Sequence, residues 1–440
     1  MMKKKIIIIV SSSLVIVFLF QLFFSSTYNY KNIYKKLSYE NRQILKKYLK
    51  LSTDYIKYEV FYKNYSDFPS TALIDLDFKK IKIEKFTNRI NSTKALGYLD
   101  ISDDKIVLVS GNGTILFLNK NNLSQKTKQT LIKSNLKDII KDELFFNKSS
   151  PWFKDAISVN DILIHKNIIY LSYVREIREN CYNTSIIKAQ MNTDFLKFED
   201  FLIYPDCAIF NKNKTQKTLK FNAQASGGRM AIYNDNGLEK MLFTTGTFLI
   251  NSNDAQNDES KLGKILLINL DNAENKIFAK GFRNPQGLFV KNNLILASSH
   301  GPKGGDEINK ILYQKNYGWP IASYGTEYSY KKSDNLKYKK NHSYNGFEEP
   351  IFSFVPSVGL SQIIDVDDNF NKKWKDNILL TSLKGSSIFR LSMSEDYSKI
   401  ISKERIIVNE RIRDIIYDKE KKSFYLLLED SKSLAIIRNK

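Results

Sequence analysis

Residues 286–301 read QGLFVKNNLILASSHG: a short apolar run, a polar Lys-Asn-Asn turn, and a second run rich in Leu and Ile. Strand-forming residues on both sides of a turn signal read as a β-hairpin. The same unit returns as LDISDDKIVLVSG from Leu99, NDILIHKNIIYLSY from Asn160 and GRMAIYNDNGLEKMLFTTG from Gly228. It returns again as SQIIDVDDNFNKKWKDNILLTS from Ser361 and RDIIYDKEKKSFYLLLED from Arg413. The polar turns are expected to hold three to seven residues. Units that repeat every ~50–75 residues, none able to bury both its faces alone, point to an all-β fold, a six-bladed β-propeller over residues 70–440. A β-sandwich or an irregular β-solenoid would share the hairpins. In a propeller the central channel and one rim hold the ligand, so a site would be assembled from residues far apart in sequence.

Upstream the pattern differs. Lys3–Lys5 precede an apolar run from Ile6 to Phe24. At about 1.5 Å per residue such a helix spans roughly 28 Å, close to the hydrocarbon thickness of a bilayer. Residues 1–27 are therefore expected to be a membrane anchor, with a cleavable signal segment as the alternative. The flanking lysines would leave the main domain extracytoplasmic, periplasmic or extracellular. Residues 28–69 are expected to form a helical stalk or linker, with Tyr34, Leu37, Tyr39, Ile44, Leu45, Tyr48 and Leu49 at roughly helical spacing.

The chain carries 68 Lys and Arg against 47 Asp and Glu, a net charge of +21. The lysines are scattered rather than gathered on one stripe, which argues against a nucleic-acid partner. Arginine is scarce, so each one is more readily explained by its planar, bidentate fork than by charge alone. The two cysteines, Cys181 and Cys207, are either independent buried thiols or, in an exported chain, a disulfide worth roughly 3 kcal/mol.

Four short segments flank the repeat strands. Gly281-Phe282-Arg283-Asn284-Pro285-Gln286-Gly287 puts a guanidinium and two amides at a rigid turn. His300-Gly301-Pro302-Lys303-Gly304-Gly305-Asp306-Glu307 offers backbone carbonyls beside two carboxylates, oxygen donors suited to calcium. Asn316-Tyr317-Gly318-Trp319-Pro320 follows as an aromatic turn. Lys384 comes just after the strand 378–382, and Arg411 and Arg413 alternate onto one side. Two forks and a lysine on a channel wall suit a ligand with several carboxylates. Surface ion pairs and ordinary blade-connecting turns are the plainer account of each segment taken singly.

In their joint order, GFRNPQGL, HGPKGGDEIN, NYGWPIASYGTEY, LKGSSIFRL and RIRDI resemble the glucose/sorbosone dehydrogenase family, best over residues 228–414. The resemblance implies a six-bladed propeller and a PQQ-dependent oxidoreductase acting on a sugar or a related alcohol or aldehyde. It implies PQQ contacts from Arg283 and Asn284, support of that turn by Gln286, and neutralisation of the cofactor's carboxylates by Lys384, Arg411 and Arg413. It further implies calcium on the carbonyls of Gly301 and Pro302, with Asp306 and Glu307 near a cation or the substrate.

One position departs from the pattern. The family places its catalytic base, a histidine, just ahead of a Gly-Gly-Arg segment, and here Ala225 precedes Ser226-Gly227-Gly228-Arg229. Alanine takes no proton. Three histidines remain. His165 reads as a surface or packing residue, His342 as solvated in a Lys- and Tyr-rich loop, and His300 as a candidate substitute base. An inactive propeller serving as a carbohydrate- or protein-binding module is the alternative to a working enzyme.

Overall fold

The structure, a computed structural model, describes residues 76–82, 97–123, 129–142, 145, 157–209, 223–250, 252–327 and 338–439. The expected anchor and stalk lie outside them. Among the described residues no helix is long and apolar enough to cross a membrane.

Six sheets follow one another, one for each repeat read from the sequence, all antiparallel but for a short parallel pairing of Phe195–Leu196 at the outer edge of the first. Their innermost strands are Tyr98–Ser102, Val159–His165, Gly227–Asp235, Pro285–Lys291, Leu360–Asp365 and Ile412–Asp418. Each packs on the inner strand of the next sheet, and the sixth returns to the first, so the sheets are the six blades (I to VI) of a closed propeller. Leu76–Lys82 closes the ring. It pairs antiparallel with Ser433–Asn439 and becomes the outer strand of blade VI, so the first and last described strands share one sheet. Closure of this kind leaves only short, protected strand edges around the channel.

The middle strands explain why the repeat was legible. Ile106, Val107, Leu108 and Val109 are all fully buried, as is the run Phe424–Leu428, because each blade is covered on both faces by its neighbours. A strand buried on both faces reads as a continuous apolar run. Each such side chain contributes roughly 1.5–3 kcal/mol by leaving water. The turns are tighter than the sequence suggested. Four of the six inner hairpins turn on two residues, at 103–104, 166–167, 236–237 and 292–293. Asp103, Asn167, Asn236 and Asn292 there take the left-handed conformation that two-residue hairpins require.

Five of the six inner strands carry a β-bulge at the end where they start: between Val159 and Asp161, Gly227 and Met230, Pro285 and Gly287, Leu360 and Ile363, and Ile412 and Asp414. A bulge inserts a residue and re-aims its side chain. Asn160, Gln286 and Arg413 sit in three of these bulges, and all three face the central cavity.

Candidate functional site

A cavity of about 560 Å³ opens at the bulged end of the inner strands, and every blade contributes to its wall. Blade I gives Tyr98, blade II Ser158 and Asn160, and blade III the stretch 223–227. Blade IV gives Arg283, Asn284, Gln286 and His300. Blade V gives Gly359 and Lys384, and blade VI Arg411, Arg413 and Glu429. All six residues expected to hold a cofactor therefore converge, together with His300 and Ala225.

The blade IV turn is braced from within. Gln286 Nε2 donates to Asn284 Oδ1 at 2.9 Å, and the Gly227 amide donates to the same oxygen at 3.2 Å. Asn284 Nδ2 donates to the Gln224 carbonyl at 3.0 Å, tying blade IV to the 223–227 stretch. Arg283 is nearly buried, with its guanidinium 5.5 Å from the Trp319 ring and Nη1 donating to the His300 carbonyl at 3.3 Å.

Arg411 and Arg413 do share a side, and the reason lies outside their own strand. Glu429 accepts from Arg411 Nε at 2.6 Å and from Arg413 Nε at 2.5 Å. Burial raises the Glu429 pKa, but Arg413 and Arg411 outweigh it and leave the carboxyl below its ordinary value. Four cations (Arg283, Lys384, Arg411, Arg413) against one carboxylate (Glu429) leave a surplus of three positive charges on the lining. A tricarboxylate fits that surplus in sign and number.

His300 has its Nε2 against the Leu360 carbonyl, which fixes the ring hydrogen there as donor. Nδ1 is left as the basic atom, 3.4 Å from Asn284 Nδ2. Burial lowers the His300 pKa below its usual value, partly opposed by Asp306. The ring is thus a neutral base at neutral pH.

The four residues expected around calcium are not drawn into the cavity lining, and they do not form one ligand set. Asp306 is buried and spends its carboxylate on backbone amides: Gly301 at 3.2 Å, Val358 at 3.0 Å and Gly359 at 2.7 Å. It organises the loop that carries Gly301 and Pro302. Glu307, next along the strand, points to the other face, where burial pushes its pKa up to about 8. Its Oε1 lies 3.7 Å from Nε2 of His342. Among the described residues no group of three or more His, Cys, Asp or Glu side chains could hold a metal ion.

His342 corrects its own expectation. It is fully buried rather than solvated, edge-on to the Tyr324 ring at 5.3 Å, because its loop is hydrogen-bonded back onto the 316–323 segment through Lys339 and Glu348. His165 is half-buried at the surface, within the expected surface-or-packing reading, its Nε2 3.2 Å from Glu239 Oε2. Cys181 and Cys207 form a disulfide between the third strand of blade II and the segment beside it.

Sequence reasoning missed Glu429, Tyr98 and the role of Arg229. Arg229 is buried behind the lining, with Nη1 donating to Asp161 Oδ1 at 3.0 Å and to Asp414 Oδ1 at 2.9 Å. Burial opposes its charge, but Asp414 and Asp161 overcome this and raise its pKa. The scarcity of arginine was the one signal that could have marked it.

A six-bladed propeller with a polycationic pocket at one end of its axis matches a polyanionic ligand in charge. The sequence model of the glucose/sorbosone dehydrogenase family matches residues 157–438, and the chain belongs to that family. The aldose sugar dehydrogenase YliI of Escherichia coli (strain K12) is 33% identical over 147 residues, 32% of this chain and 38% of that protein. The similarity to this relative thus spans well under half of its length. A crystal structure of a glucose dehydrogenase covers 83% of this chain and 99% of its own, with a TM-score of 0.63 and 19% identity. The PQQ-bound aldose sugar dehydrogenase of Streptomyces coelicolor covers 82% of this chain and 98% of its own, with a TM-score of 0.54 and 15% identity. These structures share the fold.

Proposed function

We propose that the protein is a PQQ-dependent oxidoreductase of a sugar or related alcohol or aldehyde, held outside the cytoplasm by an N-terminal anchor. The observation that carries this reading is the convergence of Arg283, Lys384, Arg411 and Arg413 on one cavity. Four cations in a chain poor in arginine have no evident use in a plain scaffold. Arg283 and Asn284 would hold the quinone edge, while Lys384, Arg411 and Arg413 would take the carboxylates. Calcium would sit on the carbonyls of Gly301 and Pro302, in the loop that Asp306 braces.

When bound, PQQ supplies a two-electron acceptor for the hydride leaving the substrate carbon. His300 Nδ1 takes the hydroxyl proton, its tautomer fixed by the Leu360 carbonyl. Gln224 and Ser158 offer polar groups to a sugar's other hydroxyls. The Cys181–Cys207 disulfide supports an oxidising, extracytoplasmic setting.

Ala225 favours a second reading. It lines the cavity where the family's base is expected, so a propeller that binds cofactor or carbohydrate without turnover is the competing account. Calorimetry with PQQ and calcium, followed by dye reduction across aldoses, alcohols and aldehydes, separates the two. No binding at micromolar PQQ rejects the cofactor. Binding without reduction of dye by any substrate leaves the inactive reading.

A further inference from the structure

We infer that Arg229 is the positioning residue of the cofactor cradle, setting where Gln286, Arg413 and Tyr98 stand without itself lining the cavity. The inference rests on the cofactor reading above. Arg229 is 2% exposed, and its whole fork is engaged. Nε donates to the Gln286 carbonyl at 2.8 Å, and Nη2 to the Arg413 carbonyl at 3.3 Å. Its guanidinium lies 4.7 Å from the centre of the Tyr98 ring. All three of those residues face the cavity, and they come from blades IV, VI and I.

Two of the three carbonyl or ring contacts fall where the inner strands bulge. A bulged backbone has lost its regular ladder partner, so its carbonyl direction needs another constraint. Arg229 supplies one at Gln286 and one at Arg413, on the bulged stretches 285–287 and 412–414. The two aspartates aim the fork. Asp161 Oδ2 accepts from the Met230 amide at 2.8 Å, and Asp414 Oδ2 accepts from the Leu99 amide at 2.8 Å, so each carboxylate is fixed to a blade while it holds Nη1. One planar group thus sets the relative placement of three cavity-wall residues. Lysine could replace the charge and not the fork.

The test compares variants that disturb the same buried cluster but differ in whether the fork survives. Arg229→Lys keeps a cation between the aspartates and loses the paired donors. Asp161→Asn removes one charge partner and leaves Arg229 aimed by Asp414. PQQ affinity is measured by calorimetry with calcium, at a temperature well below the melting point of every variant. Positioning predicts affinity at least about tenfold weaker in Arg229→Lys and within about threefold of wild type in Asp161→Asn, whatever their melting points. A purely structural role predicts that affinity follows melting temperature across both, and that result overturns the inference. If Arg229→Lys does not fold, the variant Arg229→Met with Asp161→Asn and Asp414→Asn replaces it. Neutralising a whole buried ion cluster is commonly tolerated, and the amides keep both backbone caps. Its affinity is expected to fall by the same factor, and unchanged affinity overturns the inference. Wild-type protein that binds no PQQ overturns the cofactor reading and this inference together. Wild-type binding with unchanged variants overturns this inference alone.

Discussion

Two stretches of the cavity wall differ in what they can do. Arg283, Lys384, Arg411 and Arg413 come from blades IV to VI and carry charge. The stretch 223–227, Ala-Gln-Ala-Ser-Gly, carries none that titrates. Asn284 joins the two, accepting from Gly227 and donating to Gln224. The first stretch has the chemistry of holding an anion. The second is where the family resemblance implies a proton acceptor, and it offers only methyl groups, an amide and a hydroxyl. On the proposed reading, cofactor binding and proton transfer rest on different side chains, so turnover can be lost while binding stays.

The largest effect is expected from the one base near the neutral stretch. His300→Gln should lower turnover by roughly 10²–10⁴-fold, the usual contribution of a positioned base, with PQQ affinity within about threefold of wild type. Steady-state dye reduction beside calorimetry checks both numbers. Unchanged turnover would put the proton elsewhere. Ala225→His sharpens the same contrast from the other side, since restoring a base at 225 should recover most of the turnover lost in His300→Gln.

Next in size is loss of a cation from the charged stretch. Lys384→Ala or Arg413→Ala should weaken PQQ binding about 10–100-fold, as expected for a charge-assisted contact of roughly 1.5–3 kcal/mol. Turnover of the fraction that still holds cofactor should stay close to wild type. Equal losses in both quantities would mean that the two stretches act as one.

The asymmetry between these stretches was only half legible in the sequence. The six hairpins could be read because middle strands such as Ile106–Val109 are buried on both faces and spell continuous apolar runs. The cations could be read because arginine is rare. Glu429 could not, since it follows Leu426-Leu427-Leu428 like any turn carboxylate. Only the pairing of Ile412 with Leu428 brings it beside Arg411. The closing strand Leu76–Lys82 was invisible for a similar reason, its partner Ser433–Asn439 lying at the far end of the chain. Asp306 and His342 were misjudged because composition shows a side chain's chemistry, not whether backbone amides or a folded-back loop will claim it. The bulges that aim Asn160, Gln286 and Arg413 are properties of pairing, which no single strand records.

The two stretches should also differ in their response to pH. His300 must be neutral to accept a proton, and burial lowers its pKa from the usual histidine value. Turnover should hold as pH falls through 6.5. It should then decline below that point, as the ring finally protonates. Glu429 is held below its ordinary value while Arg413 is raised above its own, so their ion pair stays charged throughout that range. PQQ affinity should accordingly stay flat while turnover drops. A parallel fall in affinity would assign the titration to the binding stretch instead.

The smallest effect tests the one carboxylate among the cations. Glu429 steadies Arg411 and Arg413, and it also repels any carboxylate those arginines would bind. Its depressed pKa means that the stability it adds is present above its unfolded pKa and is lost as pH falls through the lower folded value. Glu429→Gln keeps an oxygen acceptor for one guanidinium and deletes the repulsion. The two consequences oppose each other, and the Coulomb part acts at every carboxylate of the ligand, whereas the lost anchoring is local. Affinity for PQQ should therefore rise by a few-fold, on the scale of a partly exposed ion pair, with a small loss in melting temperature. Weaker binding in Glu429→Gln would show that holding the two forks in place matters more than the charge they present.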